Sequence, residues 1–331
     1  MSVPGAPPAS VAPSASPSVP PRGYPPPDRT EIAMFAAVGF FFLVILSVLA
    51  VSWFGDNAGL QMQVAGLGMS VMYVICIWHA VVVKGPGPAV GFFVPAAVLT
   101  FFAEYMGDNY GWFFGDYTYT ASLGPRLGGV PLLIVVVWGV VLYAGYMLVD
   151  WLAGIHGERR GGSWPMTLLW NAVVAATTGL VMAAFDLLAD PMAVSGVWHE
   201  VLGREPWWWW QGGGYLPGLE VWQGNGGIPA QNFIGWWAVP TFIIFCYMTA
   251  MAHFRPKGDI VVGQLLNAVP LTIYAYMYVT MTAALLVMRQ YDPGLTQAVI
   301  IGTFTMGPVI GLGLTTLLRG FTVAQPAPIH P

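Results

Sequence analysis

Four carboxylates set in apolar surroundings are the residues of this 331-residue chain best suited to chemistry. Glu104 and Asp108 stand four residues apart, and so do Asp186 and Asp190, so on helices each pair would share one face. Ionisable groups inside apolar spans are costly to keep there and mark functional sites by default. Two carboxyl groups held close together and partly out of water resist losing both protons, which leaves one for general acid chemistry. The plain alternative is that these side chains cap helices or tie down loops, bonding to backbone and tyrosine hydroxyls. That alternative suits any one of the four better than it suits all four together. Asp150 reads as a structural or interfacial acid, and Asp116, Glu200, Glu205 and Glu220 read as solvated.

Other chemistries find little support. His79, His156, His199, His253 and His330 include no pair at helical ligand spacing, so no metal site is expected. His79 and His253 fall towards the ends of their apolar runs and read as interfacial. No phosphate-cradling loop, Ser/His/Asp elbow or Cys/His cluster is present. Aromatic residues crowd two polar stretches: Trp112, Phe113, Phe114, Tyr117 and Tyr119 in one, and Trp198, Trp207 to Trp210 and Trp222 in the other. Tryptophans of this kind usually anchor a membrane interface. A second use is a lid over a lipid-soluble substrate, since aromatic faces also stabilise cations.

The elements that position these residues follow from composition. The chain is 56% hydrophobic and 8% charged, with a mean hydropathy of +0.67. Soluble domains carry roughly a quarter charged residues, so no soluble surface can be built here. Apolar runs long enough to cross a bilayer lie at 32–54, 62–83, 89–106, 130–155, 165–188, 234–254, 260–288 and 296–318. Continuous apolar runs satisfy their backbone in lipid only as helices, and the alternation of a membrane barrel is absent. The expected fold is therefore all-α, a polytopic integral membrane protein of about eight transmembrane helices. Pro191 is expected to end the fifth.

Residues 1–30, rich in Pro, Ser and Ala, read as a disordered tail followed by an uncleaved first anchor. The helical domain is expected over 31–320, with site-forming loops at 107–129 and 189–233, and a short tail over 321–331. Cys76 and Cys246 both lie in apolar runs, where a buried thiol packs as a small hydrophobe and a disulfide is not expected. The Gly307-to-Gly311 spacing suits close helix contact. Eight spans put Arg22, Arg29, Lys84, Arg159, Arg160, Arg255, Lys257 and Arg319 on one side and Arg126, Arg204 and Arg289 on the other, dividing the 11 basic residues 8 to 3. The first side, with both termini, is thus expected to be cytoplasmic. The two long loops and 10 of the 15 acidic residues fall on the opposite side. Nucleic acid has no basic surface to bind.

Two groups of short motifs then resemble a known family. Glu104-Tyr105-Met106-Gly107, Phe114-Gly115-Asp116-Tyr117-Thr118-Tyr119-Thr120, Leu123-Gly124-Pro125 and Val130-Pro131 make the first. Asp186-Leu187-Leu188-Ala189-Asp190-Pro191, Trp198, Gly226-Gly227-Ile228-Pro229, Asn232-Phe233 and Gly235-Trp236 make the second. In this order they resemble the carotenoid biosynthesis proteins typified by the CruF carotenoid hydratases, over about 100–240. The segment 199–224 departs from the family's compact aromatic run, which bears on substrate identity more than on reaction class. The resemblance implies hydration of a terminal isoprenoid double bond of a long carotene to a tertiary alcohol, without a redox cofactor. Protonating a trisubstituted alkene requires a strong positioned acid, an environment for the cation, and a water held by a base. On that reading Asp186 or Asp190 is the acid and Glu104 the orienter or base. Asp108, Tyr117, Tyr119, Trp198, Asn232 and Trp236 surround the substrate. The implied partners are a membrane-soluble carotene, the lipid bilayer and other carotenoid-pathway enzymes, in a bacterial cytoplasmic membrane.

Two rivals use the same residues. An intramembrane prenyltransferase would bind magnesium diphosphate through Asp186 and Asp190, but Met182 stands where an upstream Asn would be expected and only Arg126 and Arg204 could neutralise a diphosphate. A proton-coupled transporter would use the acids as an ion path, and no inverted repeat is visible.

Overall fold

The computed structural model describes residues 27–54, 58–153, 163–211, 227–254 and 264–322. Most of the N-terminal tail, the C-terminal residues from 323, and the stretch 212–226 with Glu220 and Trp222 lie outside them. So do His156, Arg159, Arg160, Arg255, Lys257, His330 and the side chain of His253. Among the described residues eight helices are long and apolar enough to cross a membrane. They are α1 (Arg29–Phe54), α2 (Ala58–Lys84), α3 (Pro86–Tyr110), α4 (Leu132–Leu152), α5 (Trp164–Ala193), α7 (Ala230–Phe254), α8 (Gln264–Met288) and α9 (Leu295–Thr322). A single turn, α6 (Val197–Glu200), and four short strands occupy the connections: β1 (Tyr117–Tyr119), β2 (Arg126–Leu127), β3 (Val130–Pro131) and β4 (Trp208–Trp210). The expected all-α membrane architecture is the one observed.

The middle of the bundle is α4 and α5. In their apolar windows 72% and 61% of residues are buried, against 22% in α1 and in α9, so those two form the rim. Helix α5 packs on α4, α7, α8 and α9, while α1 packs chiefly on α2 and α8.

Pro191 does not end α5, which continues to Ala193 and closes with Val194 N–H on the Asp190 carbonyl at 3.0 Å. A proline in the last turn removes one backbone donor, and burial of every residue from Leu188 to Ser195 overrides the extended bias it places on its predecessor. Helix α3 starts with Pro86 in its first turn and stops at Gly111, which takes the left-handed conformation (φ 68°) that glycine adopts without strain.

The half of the bundle remote from the long loops holds its own polar contacts. Lys84 Nζ lies 3.3 Å from Asp150 Oδ2, both side chains nearly sealed, and 5.0 Å from the centre of the Tyr146 ring. This fixes Asp150 as a structural acid. His79, expected at the interface, is fully buried instead. Its two ring nitrogens meet Tyr143 Oη at 2.7 Å and the Leu266 carbonyl at 2.8 Å, which satisfies a polar ring inside the bundle.

Candidate active site

Glu104 sits on α3 less than two turns from its end, and the chain folds back over it. After Gly111 a turn through Phe113 (φ 61°) reverses the backbone, and β1 pairs antiparallel with β4, setting Tyr117 opposite Trp210 and Tyr119 opposite Trp208. Alternation along a strand sends Tyr117 and Tyr119 to one face, and both are buried. Their hydroxyls converge on Glu104 Oε2: Tyr119 Oη donates at 2.6 Å and Tyr117 Oη in a shorter bond. Trp138 Nε1, from the second turn of α4, donates to Oε1 at 2.6 Å. Three donors and no further acid on its own oxygens is the hydrogen-bond set of an ionised carboxylate.

Two motif glycines make room for this. A Cβ on Gly107 would meet the Tyr117 hydroxyl at 2.7 Å, and one on Gly235 would meet the Phe114 ring at 2.7 Å. The Tyr117 and Tyr119 hydroxyls are raised well above the usual phenol range, first by burial and next by the Glu104 carboxylate. They stay protonated donors across the whole physiological range.

Asp186 and Asp190 are stacked one turn apart on α5, both fully buried. Asn232, in the first turn of α7, donates to Oδ2 of each, at 2.7 and 2.5 Å. The two carboxyls thus meet at one amide nitrogen. Two carboxyl groups held this close and out of water resist losing both protons. Asp186 Oδ1 is buried and has no hydrogen-bond partner among the described residues.

One cavity of about 200 Å3 joins these groups. Glu104, Asp186, Asp190 and Asn232 line its polar part, and Phe114, Tyr117, Tyr119, Trp138, Phe185, Trp198, Trp207, Trp208, Trp210 and Trp236 its aromatic walls. Trp138 and Trp236 are stacked, with ring centres 4.0 Å apart and planes 10° apart. Trp198 is fixed by its own N–H on the Met192 carbonyl at 2.7 Å. Among the described residues no three His, Cys, Asp or Glu side chains are grouped to hold one metal ion.

Eight of the nine residues singled out from sequence therefore line one cavity: Glu104, Tyr117, Tyr119, Asp186, Asp190, Trp198, Asn232 and Trp236. Asp108 is the ninth and faces the loop. Its Oδ1 accepts the Tyr119 backbone N–H at 3.4 Å, and its Oδ2 lies against Gly129. Sequence reasoning passed over Trp138 and Phe185. A tryptophan within an apolar helix needs a partner for its N–H, and that was the available signal for Trp138.

The sequence profile of the family described as carotenoid biosynthesis protein matches residues 61–308. Helix α1 precedes the matched residues. No curated protein and no solved structure matches the chain.

Proposed function

The chain belongs to the carotenoid biosynthesis protein family, and from that premise we propose that it hydrates a terminal isoprenoid double bond of a long carotene, giving a tertiary alcohol. The observation that carries this reading is the unequal hydrogen bonding of Glu104 and of the Asp186–Asp190 pair within one cavity. Glu104 accepts from three side-chain donors, whereas Asp186 and Asp190 divide one amide nitrogen between them, and two buried carboxyls held so close keep a proton.

In the proposed reaction the Asp186–Asp190 pair gives its proton to the less substituted alkene carbon, and the π electrons form the new C–H bond. We assign the delivery to Asp186 through Oδ1, which is buried and has no hydrogen-bond partner among the described residues. The resulting tertiary cation is stabilised by the fixed negative charge of Glu104 and by the stacked faces of Trp138 and Trp236. A water adds to the cation through a new C–O bond and releases a proton to the carboxylate pair, which restores the acid. No electrons are gained or lost overall. Burial of the polar end among aromatic walls limits water near the cation to what the carboxyl groups hold.

The test is expression in a lycopene-accumulating bacterial host, followed by chromatography with mass detection of the extracted pigments. The expected result is a pigment heavier by one water. An unchanged pigment profile, with the protein found in the membrane and γ-carotene also supplied, would remove the hydratase reading.

A further inference from the structure

The cavity does not end at the aromatic walls. It continues between α2 and α8 to the rim helix α1, where Ile45, Leu49, Gly66, Tyr276, Thr280 and Ala284 line it. Along this path burial falls away: the carboxyl groups are sealed, Ile45 is 5% exposed, and Leu49, Gly66, Thr280 and Ala284 are partly open. Their neighbours Leu46, Leu67 and Val279 are exposed apolar side chains on the outer surface of a membrane bundle. The opening is therefore rimmed by hydrocarbon and faces the bilayer. Below it the seam is closed. Phe42 of α1 stacks on Tyr276 of α8 with ring centres 4.4 Å apart, and Ile45 fills the space in front of Gly68 of α2.

We propose that α1 is the gatepost of a lateral mouth, at the level of Leu49, Gly66 and Thr280, through which one end of a long isoprenoid chain slides from the bilayer until its terminal double bond reaches Asp186. This rests on the proposed function for the identity of the substrate. A chain threaded this way leaves its remaining length in lipid, so a cavity of about 200 Å3 can serve a molecule much longer than itself. Only the reacting end need be desolvated or recognised. Because α1 packs chiefly on α2 and α8, small shifts of its outer half widen the mouth without disturbing α4, α5 or the carboxyl groups. Leu49 and Thr280 then set which chain ends pass, by width alone.

The mouth is tested by closing it with bulk. Asp186→Asn, which holds substrate without turning it over, is expressed in a lycopene-accumulating host, alone and combined with Leu49→Phe and Thr280→Phe. A third version combines Asp186→Asn with Ile300→Phe, an equally large change on the exposed face of α9. Each is purified and the lycopene-to-protein ratio read by absorbance. The expected result is a ratio about tenfold lower with the mouth filled and unchanged with Ile300→Phe. Equal ratios in all three proteins, with matching helix content, overturn the mouth. The same mouth substitutions in the otherwise native chain are scored for hydrated product. Undiminished product would also overturn the mouth while leaving the hydratase reading in place. Lycopene bound by Asp186→Asn but never hydrated by the native chain removes the hydratase reading and leaves the mouth.

Discussion

At the residue scale, the proposed reaction rests on a contrast between a carboxylate that is well supplied with donors and a pair that is not. Replacing Asp186 with Asn removes the proton but keeps the shape and the bond from Asn232, so hydration is expected to fall by about 10²- to 10⁴-fold in a protein that still folds. Trp138→Phe takes one donor from Glu104 and leaves a buried charge short of a partner. A loss of about 1.5–3 kcal/mol in unfolding free energy is expected, read by thermal unfolding in detergent. The tyrosines carry a pH signature. Because Tyr117 and Tyr119 are held above their unfolded range, the unfolded chain releases protons first as pH climbs past that range, so stability falls there. The expected result is a Tm that declines at strongly alkaline pH in the native chain and declines less in Tyr119→Phe. Most of these residues were legible in the sequence because carboxylates stand out in apolar spans. Asp108 was misplaced into the pocket because i, i+4 spacing says only that two side chains share a face, and one helical turn separates the cavity from the loop.

At the scale of elements, the eight spans were readable because burial in lipid demands continuous apolar runs, and nothing subtler than hydropathy is needed to find them. The pairing of β1 with β4 was not readable. Each strand has three residues, and they meet across about 90 positions of sequence, held by a register that only the folded loops define. Pro191 misled for a related reason, since local propensity pointed to a stop and tertiary packing kept the helix going. The element-scale prediction concerns the other end of the bundle. Lys84→Met alone leaves Asp150 charged and buried, and should cost about 3–5 kcal/mol of stability. Adding Asp150→Leu should return most of that loss, a recovery that thermal unfolding of the single and double variants would show. Equal losses in both would mean the pair contributes packing rather than charge compensation.

At the scale of the whole molecule, the described residues form a bundle of eight spanning helices whose two central members carry or position the acids, whose loops lower aromatic strands onto them, and whose rim is greasy. That arrangement suits a substrate that never leaves the bilayer. The count of spans puts both long loops on one side of the membrane, and the fold brings both motif groups to a single cavity there. The contributions of α1 and α8 were not legible in the sequence, because an apolar side chain facing a cavity has the same sequence signature as one facing lipid.

The central claim, that water is added to a carotene by the Asp186–Asp190 pair, is tested most directly by following oxygen. Membranes containing the native chain, given lycopene in water enriched in heavy oxygen, should yield a hydroxylated pigment carrying one labelled atom, with or without air, and Asp186→Asn membranes should yield almost none. A hydroxylated pigment whose oxygen is unlabelled, or one formed equally well by Asp186→Asn, would contradict the account.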